Sequence, residues 1–246
     1  MNLNNLRGML LEEAVLFLLR HSGYKTVHSA GDDSSLEDGH SGLEVKGRGS
    51  KHQIDAVAEY LIPQPFAHPQ RLLVEAKHYS SDIGLNVIRN AVGVLKDVNE
   101  FWVPPVTSTT PIKRYHYQYA VVSGTNFTSN SQKYAFAQDI YLIPLGASSF
   151  FSDVISAINK FKNIPEVIIL RLQALELKVI RKWIRCRLNF EYEYEPNISN
   201  NDIFGEFIEA CHRISFCLLA VISGRFPVFL VPAEGVSIHN LESVTT

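Results

Sequence analysis

The chain has 246 residues, 46% of them hydrophobic and 20% charged, with a net charge of −2. These values describe a folded globular protein of one large domain or two small ones, and they exclude both a disordered chain and one whose overall field would draw it to nucleic acid without a local basic patch. No run of about 18 uncharged apolar residues occurs, Glu12 and Glu13 interrupt the first apolar run, and Cys186, Cys211 and Cys217 form no CxxC pair; no membrane span, secretory leader, disulfide framework or zinc ribbon is expected, and the expected location is cytoplasmic.

Leu6 to His21 reads as an amphipathic helix closed by Ser22-Gly23. At about 100° per residue Glu13 lies near Arg20, which predicts a solvated ion-pair side, while Glu12 falls between Leu16 and Leu19. A carboxylate hemmed by apolar neighbours needs a partner such as a metal, so Glu12 is the better functional candidate, with a glutamate at the edge of the apolar stripe as the equal alternative. Tyr24–Val27 reads as a short strand before a polar loop to Ser41. Leu43–Lys46, Gln53–Tyr60 and Leu72–Ala76 read as three strands, the last two joined through Pro63, Pro65 and Pro69. Gly84–Phe101 reads as a helix with Leu85, Ile88, Val92 and Leu95 on one face. A Pro-rich loop around Pro104-Pro105 and Pro111 precedes a strand at Tyr117–Ser123, a helix at Ser129–Asp139 and a strand at Tyr141–Leu145. A helix at Phe151–Phe161 ends this part, and Asn163-Ile164-Pro165 breaks the chain. Val167–Leu188 then reads as one long helix whose Arg171, Lys178, Lys182 and Arg185 form a basic stripe, suited to a phosphate backbone or to solvent. The remainder, from Phe190-Glu191-Tyr192-Glu193-Tyr194 on, reads as a small β-rich segment. Alternation of strands and helices after an initial meander predicts an α/β sandwich with a mixed central sheet in residues 1–162, followed by an accessory region of helix plus β in 163–246.

The chemistry concentrates at Asp55 and at Glu75-Ala76-Lys77, which closes an apolar run. Side chains two apart on a strand share a face, so Glu75 and Lys77 point the same way. Two carboxylates with an ammonium at a sheet edge can hold a hard divalent cation such as Mg²⁺, which takes oxygen ligands and keeps several waters, and can activate a water against a phosphate. A competing set exists: Glu44-Val45-Lys46 with Asp32 and Asp33 upstream, in a Gly- and Ser-rich neighbourhood. The apolar residues ahead of Glu75 favour the first set.

In this order the elements resemble the PD-(D/E)XK restriction-endonuclease-like superfamily, and within it the Mrr-like restriction nucleases. The matching residues are Glu12 on the first helix, Gly47-Arg48-Gly49 running into His52-Gln53-Ile54-Asp55, Val74-Glu75-Ala76-Lys77, then Val121-Val122-Ser123-Gly124 with Phe127-Thr128, and Ile140-Tyr141-Leu142-Ile143. The resemblance covers about residues 6–160 and departs from Mrr-like proteins in carrying Glu75 where Gln is common. It implies a restriction-endonuclease-like α/β/α sandwich and a Mg²⁺-dependent endonuclease, with Mn²⁺ as a substitute, acting on DNA in restriction or phage defence. It implies Asp55 and Glu75 as metal ligands, the Ala76 carbonyl as a further ligand, Glu12 as an outer or second-metal ligand, and Lys77 as the group that positions or helps to deprotonate the attacking water. Gln53, two residues before Asp55, would share its strand face and orient water. Arg48, Lys51 and Arg89 would contact phosphates. Cutting both strands leaves room for a homodimer, and the defence setting for partner proteins. Two rivals stand beside this reading: a catalytically inactive nuclease scaffold used for interaction or sensing, and a nuclease for RNA or branched DNA.

Overall fold

The computed structural model describes residues 2–31, 33–39, 42–60, 66, 68–101, 115–173, 175–188, 202–214, 218–220 and 228–230. Asp32, Pro63, Pro65, the Pro104–Pro111 loop, Cys217 and the Phe190–Tyr194 run lie outside them. The chain divides into two compact units, Tyr24–Ser152 and Met1–Gly23 with Asp153–Thr246.

The first of these, residues 24–152, is α/β. Its main sheet has five strands in the order β1 (Tyr24–Val27), β5 (Ala56–Tyr60), β6 (Gln70–Lys77), β7 (His116–Ser123), β8 (Ile140–Pro144). The pairs β1/β5 and β5/β6 are antiparallel; β6/β7 and β7/β8 are parallel. Parallel neighbours need a crossover, and the helices supply it: α2 (Leu85–Asn99) between β6 and β7, and α3 (Ser129–Ala137) between β7 and β8. These helices touch each other as well as the sheet. The central position of β6 and β7 explains their sequences: Leu72, Leu73, Val74 and Ala120, Val121, Val122 are buried on both faces, so each strand reads as an apolar run. Of the expected Leu85/Ile88/Val92/Leu95 stripe on α2 only Ile88 is fully buried; the buried face is Ile88, Ala91, Val94 and Val98, rotated from the expected one.

The expected strand Gln53–Tyr60 is two strands. A separate antiparallel meander is formed by β2 (Leu36–Gly39), β3 (Gly42–Lys46) and β4 (Lys51–Gln53). It closes with Ile54 N–H donating to the Leu43 carbonyl at 3.2 Å. Buried Ile54 and the bend at Asp55 then turn the chain into β5. Gln53 therefore sits on β4 opposite Glu44, on a different strand from Asp55, and the expected shared strand face does not form.

Two polar clusters fix this unit. Asp97 on α2 accepts from the backbone N–H of Gly49 (2.8 Å) and Ser50 (3.1 Å) and pairs with His52 Nε2 (2.8 Å), docking the β3–β4 turn onto the helix. Gly47 is glycine because a Cβ there would lie 2.0 Å from an Asp97 carboxylate oxygen. On β6, Arg71 is only 2% exposed. It donates to Glu59 (2.9 Å) and Ser35 (2.8 Å), pairs with Asp33, and lies 3.4 Å over the Tyr115 ring. A buried guanidinium is tolerable only when so surrounded.

Among its described residues the other unit is helical with one antiparallel strand pair. α1 spans Leu3–His21, capped by the Asn2 side chain. Then come α4 (Ser152–Lys160, in this unit from Asp153), α5 (Glu166–Gln173), α6 (Leu177–Arg187), α7 (Asp202–Arg213), and the antiparallel pair β9 (Leu218–Ala220) and β10 (Val228–Leu230). The expected long helix 167–188 is thus broken into α5 and α6. Beside this strand pair, the described part of the expected β-rich segment is α7, whose Phe204, Phe207, Cys211 and adjoining Ile214 are buried at helical spacing. Glu13 corrects a further expectation. It has no exposed surface and no solvated partner at Arg20; α1 is buried on nearly every side, so Glu13 points inward. Its charge is met from α6, by Arg181 at 3.1 Å and Arg185 at 2.8 Å. Among the described residues no helix is long and apolar enough to cross a membrane.

Candidate metal-binding site

The register of β5 on β6 pairs Ala56 with Val74, so Asp55, one residue earlier, comes level with Glu75. Its carboxylate accepts the Ala76 backbone N–H at 2.8 Å, which pins it beside the strand end. Glu75 and Lys77 share a face of β6 and form an ion pair; their side chains are 17% and 25% exposed. The parallel register sets Tyr119 of β7 opposite Leu73 on that same face, and its hydroxyl donates to Glu75 Oε2 at 3.1 Å. Tyr119 is 1% exposed.

Burial opposes the charge on Lys77, but its hydrogen bond to Glu75 and the Glu75 and Asp55 carboxylates hold its pKa above the usual value, so the ammonium stays charged. Burial and the same two carboxylates push the Tyr119 phenol well up, so it is a fixed donor. The group is therefore two carboxylates, one cation and one neutral donor at the end of β6, half-shielded from water.

Among the described residues no three His, Cys, Asp or Glu side chains stand together as a metal cluster. Protein oxygen donors at this strand end are the two carboxylates and backbone carbonyls such as that of Ala76. That set is too small to enclose an ion and too hard for zinc. It fits a hard cation that keeps most of its waters and takes one or two carboxylates with a substrate phosphate.

The remaining expected site residues are on other elements. Glu12 is on α1 in the other unit, where Arg181 meets its carboxylate at 2.6 Å. Gln53 is exposed on β4. Arg48, on the β3–β4 turn, pairs with Glu100 at 3.0 Å, and Lys51 pairs with Glu37. Arg89 is exposed on α2 and makes no ion pair among the described residues. Of the expected basic stripe, Arg185 holds Glu13 and Lys178 pairs with Glu176 at 2.7 Å, while the neighbouring Arg181 holds Glu12 and Glu13. In the competing acidic set, Asp33 is taken up by Arg71, while Lys46 donates to the Ser34 carbonyl at 3.1 Å. Tyr119 and Arg71 were not legible as partners of these carboxylates, because pairing of β6 with β7 and of the 33–35 turn with β6 leaves no trace in local sequence.

No family model matches the chain, and no curated protein matches it. Two solved structures are similar at low level. AF1548, a protein of unknown function, is 18% identical with a TM-score of 0.44, over 83% of this chain and 98% of that one. The MspJI restriction endonuclease in complex with a 27-mer oligonucleotide is 13% identical with a TM-score of 0.33, over 63% of this chain; this chain spans 31% of that one. The chemistry therefore rests on the residues themselves.

Proposed function

We propose that residues 24–152 carry a metal-dependent nuclease site of the restriction-endonuclease-like, Mrr-like kind, hydrolysing phosphodiester bonds in DNA in a cytoplasmic restriction or phage-defence role. The observation that carries this is the convergence of Asp55, Glu75 and Lys77 at one strand end, with Asp55 pinned by the Ala76 N–H. Asp55 and Glu75, with the Ala76 carbonyl, would hold Mg²⁺ or Mn²⁺. When bound, such an ion lowers the pKa of a water and offsets charge on the phosphoryl oxygens.

The protein's own part is positional and electrostatic. Glu75 is oriented by two partners, one on each oxygen. Lys77 is a compact point charge on the same face, suited to hold the attacking water or the phosphoryl group as negative charge develops. Partial burial strengthens each of these interactions relative to water. Arg48 on the turn docked to α2, Lys51 at the start of β4 and Arg89 on α2 are the proposed phosphate contacts, with Arg48 and Lys51 exchanging exposed Glu100 and Glu37 for phosphate. We leave Glu12 out of the metal set, because Arg181 already neutralises it. With one such site per chain, cutting both strands would take two copies.

Plasmid incubated with the purified protein and Mg²⁺ or Mn²⁺ is expected to be cut by wild type and left intact by Asp55→Ala and Lys77→Ala. Equal cutting by all three would assign the activity to a contaminant and end this reading.

A further inference from the structure

We propose that Tyr119 is a positioning residue for the metal site: its hydroxyl fixes the orientation of the Glu75 carboxylate so that the remaining lone pairs face a shared cation with Asp55. The inference rests on the nuclease reading above, and adds to it a residue that the sequence motif does not contain.

Three observations carry it. The Tyr119 hydroxyl donates to Glu75 Oε2 at 3.1 Å, while Oε1 is held by Lys77, so both oxygens have a fixed neighbour. The phenol is 1% exposed, which locks its ring by packing and leaves the hydroxyl no competing water. The bond also crosses strands, from β7 to β6, so it ties the ligand to the neighbouring central strand of the sheet. A carboxylate offers about four lone-pair sites, so one hydrogen bond to Oε2 and one ion pair at Oε1 still leave positions for an ion. Restricting rotation of a ligand before the ion arrives removes an ordering cost at binding. Loss of such an outer partner lowers metal affinity or activity by about 10–100-fold.

The same strand supplies a control. Tyr117 has the same side-chain chemistry, lies on the same face two residues away and is 4% exposed, but its hydroxyl has no hydrogen-bond partner among the described residues. Tyr117→Phe thus removes a buried hydroxyl from the same strand face without touching Glu75.

The test is isothermal titration of Mn²⁺ alone into the full chain, as wild type, Tyr119→Phe, Tyr117→Phe and Glu75→Gln, with thermal melts of each metal-free protein. The expected result is Mn²⁺ binding by wild type and Tyr117→Phe alike, a Kd raised about 10–100-fold in Tyr119→Phe with its cooperative melt retained, and loss of binding in Glu75→Gln. Unchanged or tighter binding by Tyr119→Phe, with Glu75→Gln still abolishing it, overturns the positioning role and leaves the metal site standing. No binding by wild type overturns both.

Discussion

Lys77 and Asp33 are two charged residues with opposite fates. Lys77 sits where a reaction can use it. Replacing it with Ala should lower cleavage by about 10²–10³-fold, the size typical of removing one preorganised transition-state donor, while Mn²⁺ binding, measured by titration, survives. Lys77→Arg should not restore the rate, since a planar fork on a longer arm cannot reproduce a compact point charge. Asp33 instead stabilises the fold. Burial raises its pKa, but hydrogen bonds from Ser35 and Arg71 outweigh this and lower it to about 2. A depressed folded pKa gives stability that is present above the unfolded value of 3.8 and is lost as pH falls through about 2. Urea midpoints taken from pH 5 downward should therefore show a loss of about 1–2 kcal/mol in wild type, discounted for partial exposure, that is missing from the slope in Asp33→Asn. An identical slope in both proteins would remove Asp33 from the account.

At the level of elements, most strands and helices were legible because their apolar periods are strong. Leu72–Ala76 and Tyr117–Ser123 are apolar runs that only a central strand explains, and both form. Two failures have physical causes. Gln53–Tyr60 looked continuous, but Ile54 anchors a bend and β4 pairs with β3 in another sheet. Helix α7 carries a clear spacing at Phe204, Phe207 and Cys211, which the neighbouring aromatic–acidic alternation obscured. Glu13 was misjudged because a helical wheel cannot show that α6 brings Arg181 and Arg185, four apart and hence on one side, against it. Arg185→Ala takes two charge-assisted hydrogen bonds from buried Glu13 and leaves Arg181 as its cation, so it should destabilise by about 1–3 kcal/mol, seen as a lower denaturant midpoint. Gly146 makes a second element-level prediction. A Cβ there would meet the Gly124 carbonyl oxygen at 2.2 Å, so Gly146→Ala should cost about 1–3 kcal/mol in the same measurement.

For the whole molecule, the net charge of −2 means that any grip on DNA is local. Arg48, Lys51, Lys77 and Arg89 are the proposed contacts, so the logarithm of DNA affinity should fall against the logarithm of salt with a slope of about −3 to −4. Arg89→Ala should weaken binding regardless of sequence and reduce that slope by about one. A slope near zero would mean these residues do not meet phosphate. The grouping of Asp55, Glu75 and Lys77 was readable in the sequence because Glu75 and Lys77 share one strand and Asp55 ends a bend next to its partner. Tyr119 was not, since it arrives from a parallel neighbour after a helical crossover.

The central claim is that Asp55 and Glu75 grip one ion. A crystal soaked in Mn²⁺ tests it most directly. The account predicts an anomalous peak within about 2.5 Å of an oxygen from each carboxylate, with Lys77 on the same side. A peak bound elsewhere, or none at this strand end in an otherwise ordered crystal, would contradict it.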